Sequence, residues 1–331
     1  MKKNILIIPC NNGLGHIARC VILANHLVKY YNVFFIIDKN KKKFFKIKNK
    51  VKIIYKSLKK NISVQKKYFL DKKLMLNFKY YDLILSDNLI EPIFKNNKTM
   101  LLGNFFWHDI KKNQKIKNRF LKEIKIKKIK LLRNYLFAYN IYKSSSPTPF
   151  FGKFNKKYKA SRENILISLG TAQMKRKDAI INSILSAIEK INHPTIYLDK
   201  DIYKKLLLKS NKNNNLKKRI AIAKYDQKMF DSISIAIIKP GLGIVRDCLS
   251  NSIKMVIPTI RYDEEFSFNS KILYNNNLGI LTQTFAEGLD YSINFIKDSK
   301  QKINYFNICK NLKWNGEEIV RKEVKQFFLK Y

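Results

Sequence analysis

Two short glycine-containing segments carry the residues best suited to chemistry. The first, NNGLGHIARC at residues 11–20, sets Gly13 and Gly15 two positions apart, with His16 directly after them and Arg19 one helical turn on. It follows the apolar run NILIIP (4–9) and opens a helical pattern from His16 to Tyr30. Glycine tolerates backbone angles that a Cβ forbids, and the free N–H groups and dipole of a helix start favour a phosphate or a developing anion. Position 18, where G-x-G-x-x-G needs its third glycine, is Ala18, so this is not the dinucleotide fingerprint. A histidine at such a turn can accept a proton from a hydroxyl, orient a pyrophosphate, or cap the helix.

The second segment is IIKPGLGIVRDCL (237–249). Gly241 and Gly243 again follow an apolar run and open a helix, Lys239 stands just ahead of them, and Asp247 falls six residues after Gly241. A carboxylate held on a helix can accept both hydroxyls of a ribose; the bland alternative is a surface acid. A third stretch, IPTIRYDEEFSFN (257–269), places Asp263, Glu264 and Glu265 just beyond a strand's C-terminal end, where ligands bind in open α/β sheets. These acids read equally as acceptors of sugar hydroxyls or as solvated side chains. Asp199-Lys200-Asp201 after the strand-like TIYL is formally a D-x-D, a metal–diphosphate signature of a different fold. It reads here as an exposed strand end.

The elements that must position these residues repeat. Strand, glycine turn, helix and the strand VFFIID (33–38) open the chain, and DLILSD (82–87) and TMLLGN (99–104) read as further parallel strands. SSSPTPFFG (144–152) reads as the start of an inter-domain linker at 144–160. The pattern then restarts with NILISLGTAQ (164–173), a helix over 178–191, strands at 195–199 and 219–225, a strand with a second glycine turn over 234–243, a helix at 244–250, a strand at 254–259, a helix near 266–276, and a final amphipathic helix at 314–331. Two βα-repeating halves predict an α/β protein of two Rossmann-like domains, 1–143 and 161–313, facing across a crevice.

Composition narrows the class. The 331 residues carry 67 Lys+Arg against 24 Asp+Glu, a formal charge of +43, and 46% are hydrophobic, too many for a disordered chain. The excess is mostly Lys and comes with heavy Asn and Ile, as codon bias alone would give. Residues 39–60 hold eleven Lys and no acid, and residues 110–133 hold eleven Lys/Arg against Glu123. In the second run Ile116, Phe120, Leu121, Ile124 and Leu131 recur at near-helical spacing. That is a basic amphipathic helix, whose apolar side either meets an anionic membrane or packs on its own domain. No zinc-finger, RRM or KH pattern accompanies the charge, so no specific nucleic-acid partner is expected. Cys10, Cys20, Cys248 and Cys309 are scattered, without metal-ligand spacing, and read as reduced core thiols. MKKNILIIPC has no signal-peptide cleavage pattern and no run reaches membrane-span length, so the expected location is cytoplasmic, with peripheral membrane contact as a further expectation.

Together, GLGHIAR, KPGLGIVRDCL and PTIRYDEEFSFN resemble the GT-B glycosyltransferases. The nearest likeness is to the family-28-like group and to the glycosyltransferase-like half of L-arabinokinase, where YDLILSDN, LLGNFFWHD and PFFG also have counterparts. The resemblance covers nearly the whole length and implies metal-independent sugar transfer from a UDP-type nucleotide donor to a glycan or lipid-linked acceptor, with no cofactor. It implies that Gly241 and Gly243 meet the diphosphate, Asp247 the ribose, and Asp263 with Glu265 the donor sugar. His16, or else Asp109 of FFWHD, would be the base, and residues 314–331 would cross back to the first domain. The sequence departs from the group in carrying Ile244 where Ser or Thr is usual, and in a poorly glycine-rich SLGTAQ loop that offers only Gly170 and the polar Thr171 and Gln173. A nucleotide-sugar hydrolase, or a non-catalytic binder of nucleotide sugars or polyanions, shares these features.

Overall fold

A computed structural model gives the structure of the protein and describes residues 2–10, 13–56, 77–89, 92–93, 98–104, 106, 114–138, 145–158, 161–170, 177–189, 194–209, 214–259 and 264–330. The chain divides into two compact units, Met1–Gly152 with Lys313–Tyr331, and Lys153–Leu312.

The first unit holds seven parallel strands: β1 (Asn4–Ile8), β2 (Asn32–Ile37), β3 (Lys52–Tyr55), β4 (Leu83–Asp87), β5 (Thr99–Gly103), β6 (Lys130–Asn134) and β7 (Ser145–Thr148), in the order β3-β2-β1-β4-β5-β6-β7. Parallel strands covered on both faces read as near-continuous apolar runs, and β4 and β5 are buried at every position. The order reverses between β1 and β4, which pair directly, so the loops leaving their carboxyl ends diverge and open a crevice. Helix α1 (Leu14–Leu27) lays Ile17, Leu23 and Leu27 against Ile5, Ile7 and Leu85. The short α2 (Lys39–Lys42) follows β2, and α3 (Gln114–Lys127) precedes β6.

One expectation changes here, and one open alternative is decided. Residues 145–148 are not linker but strand β7, and Phe150 and Phe151 behind them are buried. Pro147 is tolerated because β7 is the edge of the sheet, where a missing N–H costs no ladder bond. The basic helix is real, yet its apolar side is taken up by the unit's own core: Phe120 and Ile124 pack with Leu101, Phe106 and Leu131. Leu131 itself lies in β6, not in the helix. No described helix is long and apolar enough to cross a membrane.

The second unit repeats the plan with β8 (Asn164–Ser168), β9 (Ile196–Leu198), β10 (Ile220–Ile222), β11 (Ile233–Ile238), β12 (Lys254–Pro258) and β13 (Gly279–Thr282), all parallel in the order β10-β9-β8-β11-β12-β13. Its helices are α4 (Lys177–Glu189), α5 (Lys200–Lys209), α6 (Asn214–Arg219), α7 (Gln227–Phe230), α8 (Leu242–Ser250), α9 (Glu264–Asn275), α10 (Phe285–Lys297) and α11 (Ser299–Lys310). The reversal point is now between β8 and β11.

The last helix, α12 (Gly316–Lys330), belongs to the first unit. Val320 and Val324 enter its core. Glu318 meets His26 Nε2 at 2.9 Å and the Arg321 guanidinium at 2.9 and 3.0 Å, while Ser146 Oγ donates to Glu323 at 2.7 Å. The Phe150 N–H donates to the Lys313 carbonyl, and the Gly316 N–H donates back to the Phe150 carbonyl, each at 2.9 Å. A methyl group on Gly316 would overlap the Pro149 carbonyl oxygen and stand 3.1 Å from the Phe151 ring. Gly316→Ala is therefore expected to destabilise the protein by about 1–3 kcal/mol, read from denaturant unfolding; an unchanged midpoint would show that the α12 junction yields freely.

Candidate active site

In the first unit the chemistry collects where β1 and β4 end. His16 lies in the first turn of α1, and its Nδ1 is 3.0 Å from Oδ2 of Asp87, the last residue of β4. Arg19, one turn on, bonds to the other Asp87 oxygen, and Cys20 Sγ lies 3.6 Å from Oδ2. Asp87 has no solvent exposure. Burial by itself would raise its carboxyl, but the charge of Arg19, then His16, overcomes this and holds it below the ordinary carboxylate range. The ionised carboxylate fixes the imidazole as the tautomer with hydrogen on Nδ1. Nε2 has no hydrogen-bond partner among the described residues. The His16 side chain is 15% exposed, enough to meet a substrate hydroxyl.

Sequence reasoning missed Asp87 as a site residue, although it ends the DLILSD run. The available signal was a carboxylate closing an apolar parallel strand, where such sheets bind ligands. Arg19, expected to bind substrate, is 5% exposed and spends its guanidinium on Asp87. Asp109, the alternative base, lies outside the described residues.

The glycines act differently from expectation. Gly13 is the N-cap of α1 in an extended conformation, Gly15 lies within the helix, and a Cβ on Gly13 would meet nothing within 4 Å. Gly241 caps α8 with φ −72° and Gly243 is helical. None of these four uses the left-handed region; what they contribute is a helix start without a capping side chain. The caps at α2, α7, α10 and α11 are Asp38, Asp226, Thr284 and Asp298, each accepting a backbone N–H of its own helix. At α1 and α8 no side chain caps, and no acid stands in the first turn. Both helices thus leave first-turn N–H groups available to an external anion.

In the second unit the Lys239 N–H donates to the Ser168 carbonyl at 2.9 Å, tying the turn after β11 to the end of β8. Lys239 is buried, with its ammonium 3.9 Å from the centre of the Phe266 ring. Asp247 lies in α8, with Oδ1 taking the Arg246 guanidinium, Nε at 3.1 Å. Its Oδ2 has no hydrogen-bond partner among the described residues. Glu264 and Glu265 form the first turn of α9 instead of a preceding loop, which places their charge favourably on the helix dipole. Asp263 and Thr171 lie outside the described residues.

Gly170 does need its glycine: φ is +70°, and its N–H donates to Asp199 Oδ2 at 3.0 Å. Asp199 of the D-x-D also accepts from Leu169 N at 2.7 Å, Ser168 Oγ at 3.1 Å and the Tyr225 hydroxyl. Burial first, and the Asp199 charge second, push that hydroxyl far up, so it remains a donor. Among the described residues no group of three His, Cys, Asp or Glu side chains could hold a metal ion. The D-x-D is thus not the exposed strand end that the sequence suggested: Asp199 is half-buried and its carboxylate fastens the turn after β8.

No family model and no curated protein matches this chain. Solved structures do. The glycotransferase of kitacinnamycin superposes with TM-score 0.68 at 11% identity, over 98% of this chain and 99% of its own. LpCGTa in complex with UDP gives 0.68 at 10% identity, over 99% and 100%. MurG of Acinetobacter baumannii gives 0.64 at 12% identity, over 98% and 99%. With two parallel sheets, each reversing its order beside its first strand, and alignment along nearly the full length, this chain has the GT-B glycosyltransferase fold.

Proposed function

We propose that the protein transfers a sugar from a nucleoside-diphosphate donor to an acceptor hydroxyl. The observation that carries this reading is the His16–Asp87 pair at the uncapped start of α1. An imidazole held through Nδ1 by a buried carboxylate, and partly exposed, is placed to take a hydroxyl proton. The first unit receives the acceptor. Asp87 does not touch substrate; it holds the imidazole and stabilises the imidazolium once the proton arrives.

The second unit receives the donor. The uncapped N-terminus of α8 and the Lys239 ammonium would offset charge growing on the departing diphosphate, and the open oxygen of Asp247 would accept ribose hydroxyls. Glu264 and Glu265, with Asp263, would face the donor sugar. Solved structures of the same fold hold UDP or thymidine diphosphate, as in LpCGTa and SsfS6, which supports a pyrimidine nucleotide. The acceptor class we favour is a glycan or lipid-linked glycan precursor.

Titration with UDP and thymidine diphosphate tests the donor half. At 100 times Kd, a ligand that binds only the folded state adds about 2.7 kcal/mol and raises the melting temperature. No shift with any nucleoside diphosphate would remove the donor assignment. With a UDP-sugar and no acceptor, stoichiometric release of free sugar would reassign the activity to hydrolysis.

A further inference from the structure

Asp199 fills a place that an anion from outside would otherwise take. The turn leaving β8 presents two successive backbone N–H groups, of Leu169 and Gly170, with Gly170 in the left-handed conformation; such a nest binds anions. It is already filled, at 2.7 and 3.0 Å, by one oxygen of Asp199, while the other takes Ser168 Oγ and Tyr225. The arrangement is held at a cost. Tyr225 has φ +54°, a region a bulky side chain avoids by about 1–2 kcal/mol, and its hydroxyl also lies 2.8 Å from Ser168 Oγ. The Ser168 carbonyl receives the Lys239 N–H, so this filled nest stands beside the turn that opens α8.

We propose that Asp199 is a positioning residue whose fixed negative charge occupies the anion nest of the β8 turn and confines the donor diphosphate to the α8 turn. This rests on the donor reading above. A merely structural Asp199 would behave differently from a competing anion when its charge alone is removed.

The probe is inorganic pyrophosphate, followed by calorimetry with the full-length chain. Asp199→Asn keeps the shape and removes the charge; it is expected to bind pyrophosphate about tenfold more tightly. Tyr225→Phe removes one donor from the carboxylate, leaves its charge less compensated, and is expected to weaken pyrophosphate two- to threefold, on the order of the effect of one hydrogen bond. Opposite signs support the proposal, since a structural role predicts weaker binding in both. Unchanged or weaker binding in Asp199→Asn overturns it. Should that variant fail to fold, the salt dependence of Tyr225→Phe decides: a deficit in pyrophosphate binding relative to wild type that closes as salt screens the carboxylate supports the proposal, while a deficit that salt leaves unchanged, or binding that is unchanged or tighter, overturns it. Wild-type binding with no change in Asp199→Asn sinks the Asp199 role alone, whereas silence in every variant sinks the donor site as well.

Discussion

Replacing His16 with alanine is expected to lower the rate of sugar transfer about 10²–10⁴-fold, the range that a positioned general base contributes. The loss should fall on kcat. The donor is assigned to the second unit, so its KM should stay near the wild-type value, and a nucleoside diphosphate should still raise the melting temperature. The fold should survive, because Arg19 continues to hold Asp87 when the imidazole is gone. Steady-state kinetics with a saturating acceptor separates these effects. A variant that turns over at nearly the wild-type rate would remove His16 from the mechanism and leave Asp109 as the base to examine.

Asp87→Ala carries the largest expected cost in stability. It strips the partner from Arg19, which is 5% exposed, and leaves a buried guanidinium uncompensated. Breaking a buried pair from one side costs about 3–5 kcal/mol. Asp87→Asn should be milder in stability but still impair transfer, since an amide does not stabilise an imidazolium as a carboxylate does. The sign with pH follows from the depressed carboxyl of the folded state. Its contribution is complete above the unfolded carboxylate value of roughly 3.9 and is lost as pH falls from there through the folded pKa. Wild-type stability should therefore drop below about pH 4 more steeply than that of Asp87→Asn. Denaturant unfolding across that range measures both; an Asp87→Ala midpoint equal to wild type would show that Arg19 finds water instead.

Much of this fold was legible because fully covered parallel strands have no polar face to hide. The runs NILII, LILSD, TMLLG and ISIAII each became a central strand. The strands that escaped notice sit at the sheet margins or in lysine-dense sequence. KIIY and KLLRN, β3 and β6, begin on lysine, SSPT of β7 holds a proline on an edge, and GILT of β13 closes the other sheet. The basic helix was visible, but its apolar stripe looked the same whether it met lipid or Phe106.

What the sequence determined by itself was local: which segments are buried, where two helices start without a capping side chain, and that a histidine stands at one of those starts. A run of apolar residues and the residue next to a turn are properties of neighbours along the chain. Only the tertiary structure decided the partners. Asp87 reaches His16 and Arg19 across 71 and 68 residues because β4 is laid beside β1, and Asp199 reaches the β8 turn across 30 residues because β9 is laid beside β8. Strand order is set by how whole sheets and helices bury one another, and no single segment encodes it.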